Sequence, residues 1–187
     1  NKEYNDTKQL RYGKVMVMTD QDHDGSHIKG LLINIFHTLW PKLLEIGYIT
    51  SMLTPIVKVS KNKEIYSFYN LKDYNDWKSN TPNYKSFYCK YYKGLGTSTA
   101  KESIEYFKNM KYINYIWTPT SDTNINLAFK KELSDNRKEW LYNFDPNIII
   151  NSDKKDVSID EFINKELIHF SNSDTLRSIG SLFDGLK

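Results

Sequence analysis

Residues 15–25 read Val-Met-Val-Met-Thr-Asp-Gln-Asp-His-Asp-Gly, an apolar run followed at once by three alternating carboxylates. The run at 15–18 has the length of a strand, and its continuous apolar character is typical of a strand buried on both faces in a parallel sheet. Asp20, Asp22 and Asp24 then lie at the C-terminal end of that strand. Ligands bind at this edge of open α/β sheets, so the segment is the first candidate for a functional site.

Strands and helices alternate on either side of this segment. From Ser26 onward, apolar residues recur at spacings of three and four, which predicts an amphipathic helix with Ser26 as its N-cap and an end at Pro41. Further strands are predicted within residues 48–60, 65–69 and 87–92, and further helices at 71–79, after a Thr99–Glu102 capping box, at 125–140 and at 159–170. The pattern predicts an α/β fold with a parallel sheet flanked by helices, plus a mostly helical C-terminal extension.

The composition is that of a folded domain. Of the 187 residues, 39% are hydrophobic and 26% are charged, which favours a packed core over disorder. The net charge of +3 is too small to indicate nucleic-acid binding by itself, and the single cysteine, Cys89, excludes a disulfide within the chain. The start of the sequence has no secretory signal pattern, no stretch is apolar enough to span a membrane, and we expect the chain to be a piece of a longer protein.

The acidic cluster predicts a site for a hard divalent cation. Carboxylates this close repel one another and raise one another's proton affinity, and a bound cation would keep them ionised. Oxygen ligands favour Mg²⁺ or Ca²⁺. The string also matches the first half of a calcium-binding EF-hand loop, but the twelfth position holds Leu31 instead of glutamate, and a strand precedes the loop where an EF-hand has a helix. A solvated acidic turn without a metal remains an alternative.

Six short motifs follow one another along the chain, at residues 10–14, 19–30, 54–58, 90–98, 137–141 and 164–168. In this order they resemble the TOPRIM fold of type IIA DNA topoisomerases. Gln21, His23 and the pair Thr97-Ser98 favour the eukaryotic branch, because bacterial gyrase B subunits typically read D-A-D-V-D-G and K-G-L-G-E. A gyrase-like or topoisomerase IV-like subunit, or another TOPRIM nuclease or primase, remains the alternative.

The resemblance implies a domain organisation and an activity. Residues 1–134 would be the C-terminal part of a TOPRIM domain, and residues 135–187 a helical connector toward a winged-helix domain. The full-length enzyme would be an ATP-dependent homodimer that cuts double-stranded DNA through a phosphotyrosine link, passes a second duplex and reseals the break. It would act in the nucleus, or in the cytoplasm if the gene is viral. The nucleophilic tyrosine, the ATP site and the first acidic ligand would lie outside this chain, which we expect to be inactive alone.

The resemblance also implies metal ligands. Asp20 and Asp22 would bind Mg²⁺ directly, with Asp20 shared between two metal positions. Asp24 is the third candidate and would act through water. His23 would orient a carboxylate or a phosphate, although a lone histidine can equally be structural.

Two segments are candidates for DNA contact. The turn that contains Lys93, Gly94 and Gly96 precedes a helix, where backbone N–H groups can approach a phosphate, although an ordinary strand-to-helix turn would look the same. Arg137 and Lys138 are implied by the resemblance only, since the acidic residues that flank them fit a solvated helix face equally well. Contacts of this kind to phosphates would be insensitive to sequence and weakened by salt.

Overall fold

The computed structural model describes residues 3–183, apart from the side chains of residues 95 and 180–183. The strands of this part are β1 (Val15–Val17), β2 (Ile49–Leu53), β3 (Val57–Lys61), β4 (Glu64–Phe68), β5 (Tyr88–Tyr91), β6 (Lys111–Ile116) and β7 (Asp156–Ser158). The helices are α1 (His23–Leu39), α2 (Pro41–Glu45), α3 (Leu71–Asn80), α4 (Ala100–Lys108), α5 (Ser121–Phe129), α6 (Ser134–Tyr142), α7 (Ile159–Phe162) and α8 (Ile168–Phe183), with a π-helical turn at Ile163–Leu167 between the last two.

The main sheet has the strand order β1-β2-β6-β7. The pairs β1–β2 and β6–β7 are parallel, whereas β2 and β6 are antiparallel, with Thr50 opposite Asn114. The predicted α/β class with parallel strand pairs is therefore confirmed, and the sheet is mixed. β1 lies at one edge, which places the end that carries the carboxylates beside the end of β2.

A smaller antiparallel sheet, with the order β4-β3-β5, lies beyond β2 in the chain. Aromatic side chains fill the space between this sheet and α3. Trp77 packs edge-on against Phe87 with a centroid distance of 5.2 Å and lies 5.5 Å from the ring of Phe68. β5 leads directly into the turn at residues 93–98, which contains Gly94 and Gly96, so this sheet determines where that turn lies.

The hydrophobic core lies between the main sheet and a layer formed by α1, α5, α7 and the π-helical turn. Gly30 allows α1 to approach closely, because a Cβ atom at this position would lie 3.0 Å from Phe129 and 3.1 Å from Leu167. The largest fully buried side chains are those of Tyr115, Phe162, Ile33, Leu44, Ile49, Ile125, Ile159, Ile163 and Leu167.

The start of α1 differs from the prediction. The helix begins at His23 and its N-cap is Asp22 instead of Ser26, so it starts four residues before the predicted position. An Asp is as good an N-cap as a Ser, and the carboxylate of Asp22 reaches the backbone N–H of Gly25 at 2.8 Å. Ser26 lies within the first turn and is buried.

The predicted burial of β1 and of the α1 face is wrong in part. Met16 and Met18 are 36% and 45% exposed, because β1 is an edge strand with one face uncovered in the described part of the chain. Leu31, together with Ile28 and Ile35, is also more than 40% exposed, because α1 turns the face that carries Gly30 and Ile33 toward the core.

The second half of the chain contains elements that the prediction missed. β6 and β7 were not predicted, and the predicted helix at 125–140 is divided into α5 and α6. β7 follows residue 134 yet pairs with β6 in the main sheet. The domain boundary at residue 134 stays a prediction. No helix within residues 3–183 is both long and apolar enough to cross a membrane.

Candidate functional site

The acidic motif forms the turn between β1 and α1, beside the end of β2. Gln21 donates a hydrogen bond from Nε2 to the backbone oxygen of Met52 at 3.1 Å, which fixes the turn to the neighbouring strand. Gly25 packs against the same turn, and a Cβ atom there would lie 1.9 Å from the backbone oxygen of Asp20. The motif therefore requires glycine at position 25.

Asp20 is half-buried and faces the glycine-rich turn, which we define as residues 93–98. Gly94 has a φ of +88°, and a Cβ atom on it would lie 3.0 Å from Oδ2 and 3.3 Å from Oδ1 of Asp20. Only glycine satisfies both the backbone conformation and the close approach. The structure thus brings together two motifs that are far apart in the sequence. Gly96 has open space around its α-carbon, so nothing in its surroundings demands glycine.

The other two carboxylates have partners of their own. Asp22 caps α1 through Oδ1, as described above. Asp24 lies in the first turn of α1 with its Oδ1 3.4 Å from the guanidinium of Arg177, and both side chains are more than half exposed. Such a pair is screened by solvent and holds Asp24 only weakly. Among residues 3–183, no group of three or more His, Cys, Asp or Glu side chains is arranged to hold a metal.

His23 points toward α8. Its Nδ1 lies 3.0 Å from the hydroxyl of Ser173, and its ring centroid is 5.9 Å from that of His169. Burial lowers the pKa of His23, and the nearby His169 lowers it further. The neutral imidazole is therefore favoured, and the contacts with α8 support a structural role for this residue.

A buried polar network beneath the motif was not predicted. Lys29 is 2% exposed, and its ammonium group lies 2.7 Å from Oε1 of Glu166 on the π-helical turn. Ser26 donates to the same carboxylate oxygen at 2.8 Å. Lys29 and Glu166 are 137 positions apart, so no local pattern in the sequence indicates their contact. The network fixes the first turns of α1 to the C-terminal part of the chain.

A cleft of about 800 Å³ opens beside the motif, between the start of α1, the segment at 146–152 and α8. Its wall contains carboxylates of the motif and also cationic side chains, so the cleft offers both signs of charge to a ligand. The charged side chains of the wall are those of Asp22, Asp24, Glu166, Lys29, Lys72, Lys165 and Arg177.

The candidate DNA contacts differ in how free their side chains are. Lys93 is exposed on the glycine-rich turn. Lys138 is 79% exposed and pairs with the equally exposed Asp135 at 2.7 Å. The guanidinium of Arg137 instead donates to the backbone oxygens of Leu127 at 3.0 Å and Lys130 at 2.6 Å, where it closes the end of α5. Arg137 therefore has a role within the fold itself.

Comparison with known proteins establishes the family. Residues 52–175 match the family described as the C-terminal associated domain of TOPRIM. The chain belongs to this family. It is 52% identical to mouse DNA topoisomerase 2-alpha over 195 aligned positions and 51% identical to chicken DNA topoisomerase 2-beta, with 96% of the chain aligned in each case. The chain spans only 13% of the mouse protein and 12% of the chicken protein.

A solved structure agrees with these relatives. The chain superimposes on the crystal structure of the Plasmodium falciparum topoisomerase II DNA-binding, cleavage and re-ligation domain with a TM-score of 0.87 and 46% sequence identity. The match covers 93% of this chain and 24% of the Plasmodium chain. The predicted resemblance to eukaryotic-type DNA topoisomerase II is thus confirmed.

The calcium-binding alternative does not fit this fold. An EF-hand loop supplies ligands from positions 1, 3, 5, 7, 9 and 12, whereas α1 begins at the fourth residue of the motif, His23, and makes positions 5 to 12 one regular helix. Leu31, at the twelfth position, lies in the middle of α1 and has no ligand atom in its side chain. The acidic motif therefore belongs to a strand–turn–helix unit.

Proposed function

We propose that this chain is part of an ATP-dependent DNA topoisomerase II that makes a transient double-strand break through a phosphotyrosine link and passes a second duplex through it. The observation that supports this most strongly is the likeness to the Plasmodium cleavage domain over 93% of the chain. The acidic motif lies at the strand end where this fold class binds ligands. The nucleophilic tyrosine and the ATP site are expected in other parts of such an enzyme.

We propose Asp20 and Asp22 as the residues that would hold Mg²⁺, with Asp20 shared between two positions and Asp24 contributing through water. The donor set fits this ion, since it consists of carboxylate oxygens, and Gly94 leaves space beside Asp20 that any side chain would fill. A bound Mg²⁺ would supply stabilisation of negative charge on the phosphodiester oxygens. The further ligands that a hydrated Mg²⁺ needs would come from water, from DNA phosphate and from a carboxylate outside this chain.

The proposed partner is double-stranded DNA, bound through its backbone. Lys93 and Lys138 present exposed ammonium groups, and Gly94 and Gly96 allow the backbone of the turn to approach a phosphate. Arg137 is proposed to contribute in addition to its role in closing α5. The whole enzyme would be a homodimer in the nucleus, and the isolated chain would neither cleave nor relax DNA. Relaxation of supercoiled plasmid by the isolated chain would contradict this last point.

Alanine substitution in the full-length enzyme tests the metal assignment. We expect Asp20→Ala and Asp22→Ala each to lower plasmid cleavage by at least about tenfold at limiting Mg²⁺. Even the loss of a residue that only orients a metal ligand weakens metal binding by that order. Asp6→Ala, an exposed aspartate before β1, is the matched control and should cleave like wild type. Wild-type cleavage by both Asp20→Ala and Asp22→Ala would remove these residues from the site.

A further inference from the structure

We propose that Glu102 is a positioning residue for the metal site, because it holds both ends of the glycine-rich turn and thereby fixes Gly94 against Asp20. The inference rests on the proposed function of Asp20 as a metal ligand. Glu102 lies on α4, and its hydrogen bonds run to Lys90, Tyr92 and Thr99. It would act through the turn.

The first end of the turn is held through β5. Lys90, on β5, donates to both carboxylate oxygens of Glu102, at 3.0 Å and 2.7 Å. Tyr92, which directly precedes the turn, donates a hydrogen bond from its hydroxyl to Oε1. Tyr92 is 8% exposed, and its backbone N–H donates to the backbone oxygen of Ile56 at 2.8 Å, so this end of the turn is also held by the backbone.

The second end of the turn is held through the capping box of α4. The backbone N–H and the hydroxyl of Thr99 both donate to Oε2 of Glu102, at 2.7 Å and 2.9 Å. The Thr99 hydroxyl also caps the backbone N–H of Glu102. One carboxylate therefore accepts hydrogen bonds from residues on both sides of residues 93–98, and its charge is enclosed by donors.

The charge on Glu102 is well stabilised. Although burial works against ionisation, hydrogen bonds from Lys90, Thr99 and Tyr92 lower the pKa of Glu102 to about 2. The pKa of Tyr92 is raised by burial and by its hydrogen bond to Glu102, so its hydroxyl remains a donor. The contacts at both ends therefore stay in place at neutral pH.

A capping role alone would not account for this arrangement. A capping box needs only Thr99 and Glu102, and it stabilises a helix without any partner on a strand. Here the same carboxylate also accepts from Lys90 and Tyr92, which adds β5 to the contact. The turn that these contacts enclose carries Gly94, and a Cβ atom on Gly94 would lie only 3.0 Å from Oδ2 of Asp20. A shift of the turn by a few tenths of an ångström would change the space around that carboxylate.

The test is a Mg²⁺ titration of DNA cleavage with the full-length enzyme. Glu102→Gln keeps the shape of the side chain but places an amide N–H₂ against groups that are themselves donors, which loosens the turn. We expect the half-saturating Mg²⁺ concentration to rise about tenfold, with maximal cleavage restored at high Mg²⁺, as for other residues that orient metal ligands. Tyr92→Phe removes one of the contacts to Glu102 and should raise the half-saturating Mg²⁺ concentration about threefold.

Glu105→Gln is the matched control. Glu105 lies on the same helix and pairs with a strand lysine, Lys58, at 3.2 Å, and within the described part of the chain its carboxylate forms no hydrogen bond with Tyr92 or Thr99. It should leave the Mg²⁺ dependence unchanged. Melting temperatures of all variants are measured in parallel, and if Glu102→Gln is unfolded, Tyr92→Phe carries the test. A change in Mg²⁺ requirement at unchanged melting temperature cannot come from stability alone.

Three results would overturn the inference. If Asp20→Ala abolishes cleavage but Glu102→Gln and Tyr92→Phe titrate like wild type, Glu102 does not position the site, and the proposed function stands. Equal increases in the half-saturating Mg²⁺ concentration for Glu102→Gln and Glu105→Gln would mean that any loosening of α4 has this effect, which also overturns the inference. If Asp20→Ala itself cleaves like wild type, the proposed role of Asp20 as a metal ligand fails, and the inference fails with it.

Discussion

At the scale of single residues, two glycines determine the geometry around Asp20. Gly25 lies against the backbone of Asp20 and Gly94 lies against its side chain, so the aspartate is enclosed by two positions that tolerate no Cβ atom. The D-x-D-x-D-G and K-G-L-G motifs could both be read from the sequence. Their contact could not be predicted, because it depends on the path of the chain through the smaller sheet.

Gly25→Ala should strongly destabilise the fold. The added Cβ atom would lie 1.9 Å from the backbone oxygen of Asp20, so the start of α1 has to move. We expect a loss of about 3 kcal/mol in the free energy of unfolding, measured by urea denaturation. Gly13→Ala, where a Cβ atom meets nothing within 4 Å, is the control and should cost less than about 1 kcal/mol. Similar losses in the two variants would show that the close approach at Gly25 is relaxed in solution.

Glu161 should make the free energy of unfolding fall as the pH is lowered into the acid range. Hydrogen bonds from Lys154 and Lys165 lower the pKa of Glu161 to about 2, below its ordinary value of 4.5. A carboxyl group whose pKa is lowered on folding stabilises the fold fully above the unfolded pKa, and the stabilisation is lost as the pH falls through the folded pKa. Glu161→Gln should therefore flatten the pH dependence of the free energy of unfolding between about pH 4.5 and pH 2. Identical slopes for variant and wild type would contradict this assignment.

At the scale of secondary-structure elements, α1 is held by contacts that no local pattern indicates. The strand before the motif and the helix after it follow from apolar runs and spacings, and Pro41 ends α1 as predicted. The predicted start of α1 is wrong because Asp22 and Ser26 are both good N-cap residues, and tertiary contacts decide between them. β7 has three residues, too few for a periodic signal. β6 has six residues and is rich in Ile and Tyr, which favour strands, so its sequence does indicate a strand that the prediction left out.

The pair Lys29–Glu166 should couple α1 to the π-helical turn energetically. Lys29 is almost fully buried, so removal of either partner leaves the other charged group without its ion-pair partner. We expect Lys29→Met and Glu166→Gln each to cost about 2–4 kcal/mol. The double variant should cost at least about 1 kcal/mol less than the sum of the two, as measured in a double-mutant cycle by urea denaturation. Strict additivity would mean that the two residues do not interact in solution.

At the scale of the whole molecule, the site is assembled from three parts of the chain. The acidic turn comes from the N-terminal part and the glycine-rich turn follows the smaller sheet. The C-terminal part supplies Glu166 of the supporting network and one side of the cleft. The ordered series of motifs indicated the family, because each motif keeps its place in this assembly. The roles of Glu102, Glu166 and Arg177 were not predicted, since each depends on a partner that is distant in the sequence or on another element.

Arg137 and Lys138 should respond differently to substitution. In the full-length enzyme, Lys138→Ala should lower the salt dependence of DNA binding by about one unit of slope, because one phosphate contact is lost, with no change in melting temperature. Arg137→Ala should lower the melting temperature as well, since its guanidinium closes the end of α5. An Arg137→Ala enzyme of wild-type melting temperature would show that these carbonyl contacts do not stabilise the fold.

The most direct test is an anomalous diffraction measurement on the full-length enzyme or its cleavage core, crystallised with double-stranded DNA and Mn²⁺ in place of Mg²⁺. We predict an anomalous peak within coordination distance, about 2–2.5 Å, of the carboxylate of Asp20, with Asp22 as a second ligand and Gly94 beside it. Peaks bound only by other side chains, in a crystal that still forms the cleaved DNA complex, would contradict the assignment of Asp20 and Asp22 as metal ligands.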